Sequence, residues 1–359
     1  MKKTLFIICG FALLGSQPGS AQEFAKVGTA GAQFLKIGVG ARGAALGEAY
    51  DAVCNDASSI FWNPAGLAFV KKNSALFSHA NWLAGIRHEA GAFAHSFGSL
   101  GVVGVSFVHL NSGDIEETTV EMQEGTGEYF TASNLMFGAS FARMLTDRFS
   151  IGGNLKYVEE NLADEKATAW GVDIGILYYT GFKSLRLGMS IRNFGPELQF
   201  SGNYKDYDKG TWVLDPVSGK PQQKEYLPYH LPMTFKISLG YDLIETQNTF
   251  LTLGADLAHP NDNVEKLNLG AELKLMRVLA LRLGYTGLVG VMQRKDTEVE
   301  NRDTSTEVSY EIDNYTQNLG AGMGLTLNIP AVGEFNFDYS YTDFGVLDWV
   351  HRMSVTLNF

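Results

Sequence analysis

The 359-residue chain has two cysteines, nine prolines and only 28 lysines and arginines against 39 aspartates and glutamates. Each shortage excludes something. Cys9 falls inside an N-terminal export leader, so Cys54 is the single cysteine of the mature chain and no internal disulfide can form, even in an oxidising compartment. A net charge of −11, more negative once Lys2 and Lys3 leave with the leader, is the wrong sign for a phosphate backbone and removes nucleic acid as a partner. His79, His88, His95, His109, His230, His259 and His351 show neither HxxxH nor HExxH spacing, so no metal site is expected. No G-x-S-x-G elbow occurs, and neither a catalytic residue nor a cofactor is expected. Gly38-Val-Gly-Ala-Arg-Gly43 matches G-x-G-x-x-G by letter, but that motif means a dinucleotide only inside a βαβ unit; tight turns or close packing account for these glycines. Long apolar runs are missing too. A membrane helix needs about 20 apolar residues, and the nearest candidate, Leu100 to Leu110, is short and glycine-rich.

What is present begins with the leader. Lys2 and Lys3 form a basic start, Leu5 to Leu14 an apolar core, and Gly19-Ser20-Ala21 a small-residue cleavage site, which assigns 1–21 to a signal peptide. From Asn73 onward the sequence alternates. Trp349, Met353, Val355, Leu357 and Phe359 are apolar while Arg352, Ser354, Thr356 and Asn358 are polar, the pattern of a strand with one greasy and one wet face. Strands are predicted near 73–82, 88–98, 101–111, 130–145, 149–159, 167–179, 185–194, 232–244, 248–258, 265–275, 279–289, 315–328, 333–343 and 348–359. Most reach the length that a tilted membrane strand needs, about 9–11 residues. The even-numbered connections are tight and the odd-numbered ones hold all the long segments, roughly 112–129, 195–231 and 290–314. A sandwich could alternate as well, but it has no reason to sort its loops. The predicted fold is therefore all-β, a fourteen-stranded transmembrane antiparallel barrel over 73–359, with outer-membrane lipid around it.

Aromatics support the barrel: Trp82, Tyr157, Trp170, Tyr285, Tyr341 and Trp349 fall at the long-loop ends, and Tyr178, Tyr241, Phe335 and Phe359 at the short-turn ends, as two interfacial girdles would be placed. The opposite face mixes Lys156, Arg186, Lys236, Lys266, Arg282 and Arg352 with Asp173, Asp242, Asp256, Glu272, Glu334 and Asp338. Facing hydrocarbon, such charges would cost a few kcal/mol each near the midplane. They are expected to look inward as ion pairs.

Residues 22–72 lack alternation. A short helix is predicted over Ala44 to Val53, with Leu46, Ala49 and Val53 on one face, and Asn63-Pro64 reads as an N-cap followed by proline at the first helical position. Ile60, Phe61, Trp62, Leu67, Phe69 and Val70 would be exposed in a periplasmic tail, so the segment is expected inside the barrel as a plug, or hatch. In the long 195–231 segment, Trp212, Leu214, Tyr226 and Tyr229 are candidates for contact with an extracellular partner, on a hairpin that either presents a protein-binding surface or caps its own barrel. The 290–314 segment, with Asp296, Glu298, Glu300, Asp303, Glu307, Glu311 and Asp313, reads as a solvated acidic loop.

The run from Phe34 to Ala68 resembles the N-terminal signature of the PorV/PorQ family of FadL-like barrels. Gly38, Gly40, Ala41, Arg42, Gly47, Asp56, Trp62, Asn63, Pro64, Ala65 and Gly66 carry the likeness. Ala45-Leu46-Gly47 and Cys54 depart from it. The resemblance implies a non-enzymatic outer-membrane protein of a Gram-negative-type bacterium, and two activities. PorV-like members work with type IX secretion components, receiving a cargo protein's C-terminal domain for surface attachment; FadL-like relatives pass hydrophobic small molecules through a path opened by the hatch. Both mature termini are expected on the periplasmic side.

Overall fold

The computed structural model describes residues 28–359 apart from 121, 207–210, 288–296, 300–307 and 311–318. The leader and its cleavage site, and Asp296, Glu300, Asp303, Glu307, Glu311 and Asp313, lie outside the described residues.

Fourteen strands form the wall: β1 (Asn73–Asn81), β2 (Arg87–Ser96), β3 (Val102–Glu116), β4 (Tyr129–Thr146), β5 (Phe149–Leu162), β6 (Glu165–Tyr179), β7 (Arg186–Phe194), β8 (Thr234–Glu245), β9 (Thr249–Pro260), β10 (Lys266–Leu275), β11 (Leu279–Tyr285), β12 (Leu319–Ile329), β13 (Gly333–Asp343) and β14 (Trp349–Asn358). Every strand pairs antiparallel with its sequence neighbours, and β1 closes the ring against β14, with Ser74 opposite Asn358 and Asn81 opposite His351. Closure removes the unpaired edges that lipid could not satisfy. The alternation does what a two-residue period requires. On β14, Val350, Arg352 and Ser354 are buried while Trp349 and Met353 face out. At the long-loop end Tyr341 stacks on Trp349 with ring centroids 4.3 Å apart.

Most of the expected inward charges pair; Lys266 forms no ion pair among the described residues, and Glu334 is exposed at the strand end, accepting from Asn336. Lys156 lies 2.6 Å from Asp173, Arg186 2.6 Å from Asp242, and Arg282 bridges Glu272 at 2.6 Å and Asp338 at 2.7 Å. Lys236 sits 3.6 Å from Asp256 and 3.4 Å from Asp51. Arg352 differs: it is buried beside the Trp82 ring and donates only to Thr342 Oγ1, at 2.8 Å.

Residues 28–72 run through the lumen. They form 3-10 turns at Gln33–Lys36, Ala57–Phe61 and Pro64–Phe69 and a single α-helical turn at Ala41–Ala45. The helix predicted over Ala44 to Val53 is absent: Gly47 and Glu48 take φ of +60° and +64°, a left-handed pair through which a right-handed helix cannot continue. Asn63 does cap the last turn, its Oδ1 accepting from Ala65 N at 3.1 Å, with Pro64 at the first position. Ile60, Trp62, Leu67 and Val70 are buried, Phe61 and Phe69 half-buried.

This segment touches the whole ring. The Ala57–Phe61 turn meets β1, β2 and β3, the Pro64–Phe69 turn β3 to β6, and the helical turn β11 to β14. Asp51 accepts from Ser190 of β7 and lies against Lys236 of β8, Asp256 of β9 accepts from Tyr50 N, and Arg42 reaches Glu272 of β10. The approach is close because many inward positions on the strands are glycine. A Cβ at Gly284 or Gly254 would collide with the backbone of Leu46 or Ala49.

The first described residues lie at the long-loop end, where Gly31 N donates to the His230 carbonyl at 3.0 Å. At the other end Asn73 N donates to the Phe359 carbonyl at 2.9 Å. The expectation of two termini on one side concerns residues 22–27, outside the described residues. The described chain itself starts and finishes at opposite ends of the cylinder, because the plug traverses the lumen.

Candidate functional site

The motif residues assemble into one interior unit. Trp62 is 1 % exposed and donates Nε1–H to the Val39 carbonyl at 2.9 Å. Its indole lies flat against Gly38 and Gly43, where a Cβ would come within 2.9 and 2.6 Å of the ring, and Tyr50 meets it edge-on at 5.6 Å. Gly40, at φ +88°, turns the chain so that Ala41 N can donate to Ser354 Oγ of β14 at 3.1 Å. Asp56 caps Ala57–Phe61, accepting from Ser58 N at 2.8 Å. Asn63 Nδ2 donates to the carbonyls of Asp51 and Ile176, tying the plug to β6, and the Ala65 carbonyl accepts from Ser150 Oγ of β5 at 3.1 Å. Gly66 packs on the Cys54 carbonyl, 2.6 Å from where a Cβ would stand.

Arg42 is the electrostatic tie. It donates to both oxygens of Glu272, its guanidinium lies 5.3 Å from the centre of the Tyr50 ring, and Asp56 is 3.7 Å away. Burial opposes its charge, but Glu272, Tyr50 and Asp56 outweigh that and raise its pKa well above the ordinary value. Glu272 in turn accepts from Arg282, so the tie continues through β11 to Asp338 of β13. Among the described residues, these contacts join the N-terminal segment to the wall.

The long-loop end is built differently. A cavity of about 610 Å³ opens there above the plug, walled mainly by Phe34, Ile37, Trp82, Leu110 and Phe200. Its one carboxylate, Glu160, already accepts from Ala32 N and Tyr229 Oη, both at 3.1 Å. Beyond the cavity, residues 203–206 and 211–224 form a small antiparallel sheet: Val213 N donates to the Tyr204 carbonyl at 2.9 Å, and Tyr204 N and Gln222 N link the strands at 2.8 Å. Trp212 and Leu214 stand exposed on it, and Val217 at its tip is 95 % exposed. Tyr226 and Tyr229 do not join them. Both pack on Phe200, with centroids 6.1 and 5.9 Å away, and Tyr229 lines the cavity. Of the four candidate contact residues, Trp212 and Leu214 are exposed, Tyr226 packs half-buried on Phe200, and Tyr229 lines the mouth.

The sequence model of the type IX secretion system protein PorV matches residues 20–211, the plug and half of the wall. The chain belongs to the PorV family. No curated protein sequence matches this family member. Among solved structures, it is similar to a "CymD monoaromatic hydrocarbon channel" (TM-score 0.54, 12% identity, 90% of this chain and 98% of that one) and to a Pseudomonas aeruginosa FadL homologue (0.54, 12%, 89% and 98%). The Pseudomonas putida toluene transporter TodX is similar as well (0.52, 12%, 89% and 96%). At such identity the likeness is one of fold: a FadL-like outer-membrane barrel, the fold of secretion and transport proteins and not of an enzyme class.

Sequence reasoning missed the receptors of the plug. Nothing local marks Glu272 as the partner of Arg42, 230 residues away, or Asp51 as the buried carboxylate facing Lys236. The glycines at inward strand positions were a usable signal, since a strand interior gains nothing from glycine unless another backbone comes close. Among the described residues no cluster of three or more His, Cys, Asp or Glu could hold a metal.

Proposed function

We propose that this PorV-family barrel serves type IX secretion as a docking partner and not as a pore, receiving the C-terminal domain of secreted cargo and handing it to the surface-attachment components. The observation that carries this reading is the division of the molecule. A plug braced against all fourteen strands fills the lumen, while apolar side chains, Trp212, Leu214 and Val217, are displayed on a sheet that stands off the long-loop end. An exposed Trp such as Trp212 is a common energetic centre of a protein interface, and Leu214 and Val217 add apolar contact around it. In this reading the mature chain begins near Gln22, the short turns and Phe359 face the periplasm, and the sheet that carries Trp212 and Leu214 faces the exterior.

A second reading rests on the mouth cavity. It is apolar, about 610 Å³, and of the size that takes a small hydrophobic molecule; the channels for monoaromatic hydrocarbons and toluene share its fold. The experiment separating the two is co-purification of the intact barrel with a cargo C-terminal domain, using the wild type and Trp212→Ala/Leu214→Ala. The secretion reading expects capture, weakened at least tenfold by the double substitution. Absence of capture, together with saturable binding of toluene that survives the double substitution, would establish the conduit instead.

A further inference from the structure

The two rims of the cylinder differ in charge. Glu116, Glu124, Glu128, Asp164, Glu197 and Glu225 are exposed at the long-loop end, against Arg87, Lys166 and Lys220. At the short-turn end Lys71, Lys72, Arg143, Arg148 and Lys183 are exposed instead, along the arc from β1 to β7, with Asp147 as the acid among them. Parts of the arc are held together. The Lys72 carbonyl accepts from Ser96 N at the foot of β2, the Arg148 carbonyl accepts from Tyr179 N at the foot of β6, and the Arg148 guanidinium lies over Gly181, two residues from Lys183. Interior Lys156, Arg186, Lys236 and Arg282 pair with carboxylates, but these five form no ion pair among the described residues.

Arg143 decides what such an arc meets. On β4 it shares the outward face with Phe141 and Leu145, 51 % and 55 % exposed, and its cross-strand partner Ile151 also faces out. It therefore stands on the hydrocarbon-facing wall, three residues above the turn, where a long side chain can lie along apolar surface and bring its charge to the headgroup level. Lys183 follows Phe182, 67 % exposed, in the same way. A protein docked under the rim could reach Lys71, Lys72 and Arg148, but not a guanidinium on the outer wall.

We propose that this arc is a binding site for anionic phospholipid, with the phosphate diester held by Arg143, Arg148 and Lys183 and the acyl chains laid on Phe141, Leu145 and Ile151. Arginine suits a phosphate because its planar fork offers two donors at once. The site requires that the barrel sit in lipid, and it is independent of the secretion role. If the short turns face the periplasm, the lipid belongs to the inner leaflet.

The test uses the full-length mature protein in mixed micelles holding equal amounts of phosphatidylglycerol and phosphatidylcholine with matched chains, the bound lipid being counted by native mass spectrometry. Retention should favour phosphatidylglycerol at least about fivefold. Arg143→Gln/Arg148→Gln/Lys183→Gln should bring the ratio close to one, and Arg277→Gln, on the other side of the rim, should leave it unchanged. Should the triple variant fail to fold, judged by loss of its heat-modifiable gel mobility, the wild type still decides. Raising salt to about 0.5 M should abolish the preference, because exposed charges are then screened over a few ångströms. Equal retention of the two lipids, or a preference indifferent to salt and to the triple substitution, overturns the proposal. Equal retention combined with salt-sensitive binding of a polyglutamate peptide by the wild type alone would assign the arc to an acidic protein.

Discussion

Arg42 and Glu272 meet across the lumen through two parallel hydrogen bonds, Nε to Oε2 and Nη2 to Oε1, both 2.9 Å. One comes from the plug, the other from the wall strand β10, and both are largely shielded from solvent. The pair ties the family motif to the barrel, and it makes the plug's closure an electrostatic quantity that can be altered.

Arg42→Gln should loosen the plug without unmaking the barrel. Breaking a buried, hydrogen-bonded pair costs about 3–5 kcal/mol, and the lower figure applies because Arg282 continues to bond Glu272. The rate of Cys54 labelling in the folded protein should rise about 100-fold where opening limits the reaction. Arg42→Lys should fall between, since a lysine cannot make the bidentate contact. An unchanged labelling rate in Arg42→Gln would show that the ion pair does not hold the plug.

Gly284→Ala tests the close approach. The new methyl would strike the Leu46 and Gly47 backbone, atoms that cannot rotate away. The strand's alternation is unaffected. The expected product is a heat-modifiable barrel whose plug is displaced, so Cys54 reacts in the folded state. Wild-type protection of Cys54 in this variant would mean that plug and wall are less tightly apposed.

Cys54 itself should be inert. Burial, and then the negative charge of Asp51, pushes its thiol up to about 12. At pH 8 a bulky maleimide should leave the native protein unmodified and label it stoichiometrically after unfolding. Rapid labelling of the native protein would remove the plug from the lumen.

The N-terminal turn should respond to acid. Burial alone would raise the Asp262 carboxyl, but hydrogen bonds from Lys36 and Gln33 prevail and hold it below its ordinary value of 3.8. A depressed carboxylate stabilises the fold above its unfolded pKa and ceases to do so as pH falls through the folded one. Hydrogen exchange of the Gln33–Lys36 turn should therefore be unaffected by lowering the pH to 3.8 and quicken, relative to other turns, only below it. Asp262→Asn should remove that step. A step at higher pH in the wild type would point to another group.

The legible part of the fold was the part with a short period. All fourteen strands lie where alternation places them, because a strand in lipid must show hydrocarbon an apolar residue at every second position. The loop sorting was readable from spacing alone. Within the motif, Asn63-Pro64 announced its cap, while the helix expected over Ala44 to Val53 failed at Gly47 and Glu48, whose left-handed backbone serves the contact with β11 and not local propensity. Tyr226 and Tyr229 read as equivalent to Trp212 and Leu214 but pack on Phe200, Tyr229 lining the mouth, since composition does not say which way a loop residue faces.

By itself, then, the sequence determined a closed cylinder and its inside and outside, because burial against lipid is imposed residue by residue. Only the tertiary structure decided that the plug is braced on every strand, that Arg42 finds Glu272, and that the described chain enters at one end of the lumen and leaves at the other. Those contacts join residues up to hundreds of positions apart, and no local pattern records which inward carboxylate, of several alike, will meet a given arginine.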